Sequence, residues 1–231
     1  MMIPFRPIAR LLTRTVRPIP QVDLTAIQDF LPNLKAGVKG QGVLVTANHY
    51  SGQGFKAWWL VILISAFIPA DIHWVVTAGW TNSGWLTGFT HWLFPLGARL
   101  FGFTPMPAMP PDPSEAEQRA TAIRHVLGYA RRVPQPVIGL APEGRDIPGG
   151  VLGSLPSGVG RFIYLISQSC PLVIPVGVWV ERGCINMKFG KSYQLPVPGG
   201  LSATERDRAV GDTVMQRIAE CLPERLRGQS S

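Results

Sequence analysis

Two short stretches of this 231-residue chain carry side chains able to do chemistry, and each follows directly on an apolar run. Asn48, His49, Tyr50 and Ser51 come after Val43–Ala47, and Gly52 and Gly54 then break the backbone. Pro142, Glu143, Gly144, Arg145 and Asp146 come after Val137–Ala141. Imidazole is the side chain that takes up and releases a proton near neutral pH. At the end of a buried strand His49 is therefore either a proton-transfer group presented to a ligand or a cap that bonds its own turn. In open α/β sheets ligands sit outside the carboxyl ends of the strands, and both stretches fall there if the apolar runs are strands.

The elements needed to hold these groups are legible as apolar runs and helical stripes. Val43–Ala47, Ile72–Thr77, Val137–Ala141 and Leu172–Trp179 are short apolar runs bearing β-branched residues and read as buried strands, with Ile185–Phe189 a further strand candidate. Between them lie helical patterns: Ala57–Ala70, a segment opened by a Ser114/Glu117 capping box, about 158–169, and about 204–221. Strands alternating with helices predict an α/β fold, one domain with a largely parallel sheet flanked by helices. In the helix after Ser114, Ala116, Ala120, Ile123, Leu127 and Ala130 step along one face, leaving His125 to solvent. His73, inside a strand, reads as a packed core histidine. Thr104–Pro113 carries prolines that exclude regular structure. Trp80, Trp85, Phe89, Trp92 and Phe94 crowd one region that suits a core, an acyl-chain tunnel or a lipid-facing surface alike.

Composition narrows the partners. The formal charge is +8, but only 16% of residues are charged, so the basic excess lies over an apolar chain. That fits an anionic membrane surface; a nucleic-acid binder concentrates Lys and Arg more densely, and none is expected as a partner. Three widely spaced cysteines match neither a metal nor a disulfide pattern, which predicts a reducing compartment and no metal. Residues 1–20 contain no acid, and Arg6, Arg10, Arg14 and Arg17 recur at helical spacing among Ile8, Leu11, Leu12 and Val16. This is the pattern of a helix lying in a membrane interface; a basic tail or an organellar targeting segment also fits it. Gln21–Leu31 reads as a short helix and Pro32–Gln41 as a linker. The chain thus divides into an N-terminal segment, 1–39, and an α/β domain, 40–231. The longest apolar run, Ala57–Ala70, is about fourteen residues against the roughly twenty that span a bilayer. Peripheral attachment at the cytoplasmic face of a membrane is the expectation.

The two strand ends, taken together, resemble the glycerolipid acyltransferase family, the lysophosphatidic acid acyltransferases and their relatives. Asn48-His49-x-Ser51 is similar to the start of the family's N-H-x-S-x-x-D block, and Leu140–Arg145 to its F-P-E-G-T-R block. Leu172–Val178 resembles the P-I-V-P-V block; Gly190-Lys191 and the ending Met215–Gly228 also fit, in the right order. The resemblance implies a glycerol-phosphate-acyltransferase-like fold and acyl transfer from acyl-CoA or an acyl carrier protein to a hydroxyl of a glycerolipid. The thioester is then a co-substrate, and no cofactor is needed. It implies His49 as general base, with Asn48, Ser51, Glu143, Gly144 and Arg145 on the substrate side, the glutamate-glycine block meeting the acceptor's phosphate.

The departures are specific. The family's aspartate falls at Gly54, and no carboxylate lies between Asp29 and Asp71. The arginine of the next block falls near Pro107, where Phe103–Pro110 holds no basic residue; the lysine before Gly158 is replaced by Ser157. Such a chain is an acyltransferase with a less anionic acceptor whose histidine is oriented by another group, Gln53, Asp71 or a backbone carbonyl among them, an impaired relative that binds lipid or acyl chains without turnover, or a very slow enzyme. Gly52-x-Gly54-x-x-Ala57 also matches a dinucleotide fingerprint, but four polar residues separate it from its strand, which that fold does not allow.

Overall fold

The computed structural model describes residues 3–36, 42–52, 55–77, 97–107, 112–145, 148–196 and 199–228. Their strands are β1 (Gln21–Asp23), β2 (Val43–Ala47), β3 (His73–Thr77), β4 (Thr104–Met106), β5 (Val137–Leu140), β6 (Leu172–Glu181), β7 (Cys184–Phe189) and β8 (Tyr193–Gln194). They form one sheet in the order β1-β7-β6-β2-β5-β3-β4, with β8 paired to β6. Every pairing is parallel except those of β7 and β8 with β6. The expected α/β architecture with a mostly parallel sheet is the observed one.

β2 and β5 are buried at every position, as central parallel strands covered on both faces must be. The covering helices are α1 (Phe5–Thr13), α3 (Trp58–Phe67), α4 (Ala116–Arg132), α5 (Val159–Ser167) and α6 (Ala203–Ala219), with a short α2 (Leu31–Ala36) between β1 and β2. Gly139 in β5 shows how tightly the core closes. A Cβ there would come within 2.4 Å of the Trp74 ring, and Trp74 in turn donates its Nε1–H to Ser65 Oγ at 2.9 Å. α6 opens with a capping box between Ser202 and Glu205. Cys170 and Cys221 are buried free thiols, pushed by desolvation up to about 12 and about 11.

Several expectations are corrected. Gln21–Asp23 is not helical: it is an edge strand pairing with β7, and only a single 3-10 turn follows it. The stretch read as a linker begins with helix α2. Thr104–Met106, read as irregular because of its prolines, pairs with β3 as the opposite edge strand; Pro105 is tolerated because an edge strand has one side free of donors. In place of the Ser114/Glu117 box, Asp112 caps the 3-10 turn Pro113–Glu115 that leads into α4, its carboxylate accepting from Ser114 N at 2.8 Å, and Ala116 is exposed. The fully buried positions of that helix are Ala122, Val126 and Ala130. Helix α1 packs on the α/β domain. Ala9 is fully buried against Ile62 and Ala66, Phe5 meets Phe101 and Phe103 edge-on, and Arg10 Nε donates to the Ala66 carbonyl at 3.2 Å. An apolar helix face next to an apolar α3 buries itself on the domain.

Trp80, Trp85, Phe89, Trp92 and Phe94, and with them Gln53, Gly54 and Asp146, lie outside the described residues.

Candidate functional site

β2 and β5 are neighbours in the sheet and run the same way, in register from Val43 with Val137 to Thr46 with Leu140. Their carboxyl ends therefore deliver Asn48-His49 and Pro142-Glu143 to one place. The backbone beyond β2 is first steadied by Asn48. Its Nδ2 donates to the Val178 carbonyl at 2.9 Å while its Oδ1 accepts from Val178 N at 2.8 Å. β2 pairs with β6 up to Ala47 opposite Val176, so the side-chain amide stands in for the next peptide of the ladder. Asn48 is 1% exposed, with its hydrogen-bonding capacity used by the fold.

Beyond β5 the chain turns sharply. Gly144 N donates to the Ala141 carbonyl at 3.2 Å, and Gly144 has φ +65°, a left-handed conformation that costs a side-chain-bearing residue about 1 kcal/mol. The turn drives Glu143 inward, leaving it 2% exposed. Its Oε2 accepts from His49 N at 2.6 Å and its Oε1 from Gly153 N at 2.7 Å. One carboxylate thus ties the end of β2 to the loop that follows the β5 turn. Burial pushes the Glu143 carboxyl above the ordinary glutamate range; the two amides, the His49 imidazole and Arg145 act in the opposite direction, favouring the anion.

His49 itself is half-buried, with Nδ1 turned into the protein. Nε2 is then the ring nitrogen to exchange a proton with a bound molecule. Ser51 and Gly144 are half-buried and Arg145 is exposed. Gly52 and Phe55 close the next turn by exchanging two backbone hydrogen bonds of 3.1 Å. Tyr50, packed edge-on against Phe55 with ring centroids 5.5 Å apart, fills the space beneath. Gly150, at φ +68°, lies against that ring: a Cβ would come within 2.3 Å of it. Leu152 N donates to the Leu226 carbonyl at 2.8 Å, so the C-terminal turn supports the same loop from outside.

All six residues singled out in the sequence therefore belong to two adjoining loops at the carboxyl edge of the sheet. Asn48 and Glu143 spend their polar atoms on backbone groups there. Sequence reasoning missed Gly153, Gly150 and Asp207. Asp207, on α6, accepts from Gly158 N and Arg161 N at 2.7 Å each, filling the amino end of α5 from within the protein. The paired glycines Gly149-Gly150 were a usable local signal for a tight loop; Asp207 had none, lying 49 residues from the amide it caps.

No protein-family profile matches the chain, and no curated protein matches it. Among solved structures it is similar to the crystal structure of the 1-acyl-sn-glycerophosphate (LPA) acyltransferase, PlsC, from Thermotoga maritima. The identity is 17% and the TM-score 0.49, over 87% of this chain and 72% of that chain.

Proposed function

We propose that this protein transfers a fatty acyl group from a thioester, acyl-CoA or acyl carrier protein, to a hydroxyl of a lysoglycerolipid or related acceptor. His49 is the general base. The observation that carries this reading is the meeting of the His49 and Glu143 loops at one point on the carboxyl edge of the sheet. Those are the two stretches of the family resemblance that carry its proposed base and substrate-side residues. In the proposed step Nε2 of His49 accepts the acceptor's hydroxyl proton as its oxygen attacks the thioester carbonyl. The carbon–oxygen bond forms, the carbon–sulfur bond breaks, and the imidazolium's proton passes to the departing thiolate, so the histidine ends neutral. Ser51 and Arg145, the polar residues of the two loops that reach solvent, are assigned to the acceptor's headgroup. Asn48, Glu143 and Gly144 shape the wall behind it.

Thioester cleavage measured with and without a lysoglycerolipid tests the reading. Release of free thiol that requires the acceptor and forms an ester supports it. Absence of release across several thioesters and acceptors leaves the alternative, a relative that binds lipid or acyl chains without turnover, which the missing carboxylate at position 54 favours.

The same reading puts the protein peripherally on the cytoplasmic face of a membrane containing anionic lipid. Support comes from the outer side of α1 and α3. Arg6, Arg10, Leu11 and Arg14 line a groove of about 460 Å³ together with Pro4, Pro7 and Asp71, and Ile3, Leu11, Trp58 and Leu100 are exposed. No helix among the described residues is long and apolar enough to cross a membrane. Deleting residues 1–20 would uncover Ile62 and Ala66, so charge reversal is the cleaner probe. Replacing the exposed Arg14 and Arg17 with Glu is expected to weaken salt-sensitive sedimentation with anionic vesicles. Unchanged sedimentation would put the anchor elsewhere.

A further inference from the structure

The resemblance gives Glu143 to the acceptor's phosphate, but its surroundings suit a different task. A carboxylate is an acceptor-only group and repels phosphate oxygens. Here both of its oxygens are already taken by main-chain amides at charge-assisted distances, and the side chain is 2% exposed. One of those amides belongs to His49 itself. The chain also lacks a carboxylate at position 54 or anywhere else between Asp29 and Asp71, so no aspartate of the β2 loop can steady the base.

Resting on the acyl-transfer reading, we propose that Glu143 is the positioning residue for His49. Its anion clamps the histidine's backbone amide to the Gly153 loop and balances the positive charge the imidazole gains during turnover. It thereby takes over the task that an aspartate on the imidazole performs in the resembling family. The clamp acts through the main chain, so it needs no particular residue at position 54. The groups that face Glu143 are consistent with this: His49 from the end of β2 and Arg145 from its own turn both favour its charged form, while burial opposes it. The buried carboxyl consequently takes up a proton at a higher pH than an ordinary glutamate. As pH falls through that point the charge is lost, and with it the balance to the imidazolium.

The test uses the full chain and Glu143→Gln. In wild type the His49 and Gly153 amide protons are expected to exchange slowly, and the Gly153 resonance, which has no titrating side chain of its own, to follow one protonation with a midpoint above the ordinary glutamate range. That titration should vanish in Glu143→Gln. Turnover should show a kcat lower by about 10²-fold, the scale of a small displacement of a catalytic group, with the acceptor KM changed less than about twofold. An acceptor KM that rises while kcat holds would overturn the proposal and return Glu143 to the acceptor's headgroup. A Gly153 amide that does not titrate in wild type, or a His49 amide that exchanges freely there, would overturn it too. If Glu143→Gln does not fold, that wild-type titration decides alone. If wild type turns over no thioester, the acyl-transfer reading falls, and the amide titration still reports whether the clamp exists.

Discussion

His49 and His73 are the same side chain on strands separated only by β5, and the fold treats them in opposite ways. His49 leaves the carboxyl end of β2, half-buried, with a carboxylate under its own amide. His73 opens β3 at the amino end and is 4% exposed. Its ring stacks on Tyr129 at 4.0 Å, and its Nε2 shares a 2.8 Å hydrogen bond with Thr104 Oγ1, which in turn bonds His125 Nδ1 at 2.9 Å. Desolvation first, and the nearby His125 second, lower the His73 imidazole to about 4 against a bond from the Gly102 backbone. A histidine held neutral like this cements β3, β4 and α4; it has no route to a substrate. Residue type therefore says little about role. Which end of a parallel strand carries the ring, and whether a charge can be tolerated there, says most of it.

The largest expected effect separates the two at once. His49→Ala should lower acyl transfer by about 10²–10⁴-fold, the usual contribution of a positioned base. It should barely alter thermal unfolding, because a half-buried strand-end ring packs little. His73→Phe keeps a ring on Tyr129 and should leave turnover within about twofold. Loss of activity in His73→Phe with a melting temperature like wild type would break the comparison.

Acid stability sharpens it further. Because the folded His73 binds its proton more weakly than the unfolded chain does, neutral His73 contributes stability that is fully present above about 6.5. That contribution is lost as pH falls from there towards about 4. The loss is on the order of 3 kcal/mol if the buried ring is fully charged on unfolding. Denaturant unfolding of wild type between pH 7 and 4 should show this decline, and His73→Phe should flatten it. Equal slopes in the two proteins would show that other groups govern acid unfolding.

The contrast also explains what the sequence could and could not reveal. β2, β3, β5 and β6 were legible because each is an apolar run bearing β-branched residues, with β7 marked only by its apolar ends, and the placing of His49 and Glu143 at one edge follows from β2 and β5 being parallel. β1 and β4 were illegible because three-residue edge strands such as Gln-Val-Asp and Thr-Pro-Met carry no periodicity and owe their conformation to a neighbour. His125 was correctly read as exposed; its bond to Thr104 depends on β4 being a strand. The same limit hid what Asn48 and Glu143 bond. Val178 is 130 residues from Asn48 and His49 is 94 from Glu143, and only the assembled sheet brings them within reach.

The smallest expected effect is the most pointed test of how His49 is held. Gly54→Asp restores the carboxylate of the resembling family at its own place in the motif. If His49 lacked all other support, an aspartate beside the imidazole could recover as much as about 10⁴-fold, the cost of losing the orienting carboxylate in a serine-protease triad. With Glu143 already clamping the His49 amide, the gain should be less than about twofold. A side chain in place of a glycine can also cost about 1 kcal/mol where the backbone needs glycine's freedom. Neutral or slightly harmful is the expectation, read as kcat with one thioester and one acceptor. A gain of tenfold or more would mean that the base was waiting for its aspartate, and that a carboxylate under the main chain cannot replace one on the ring.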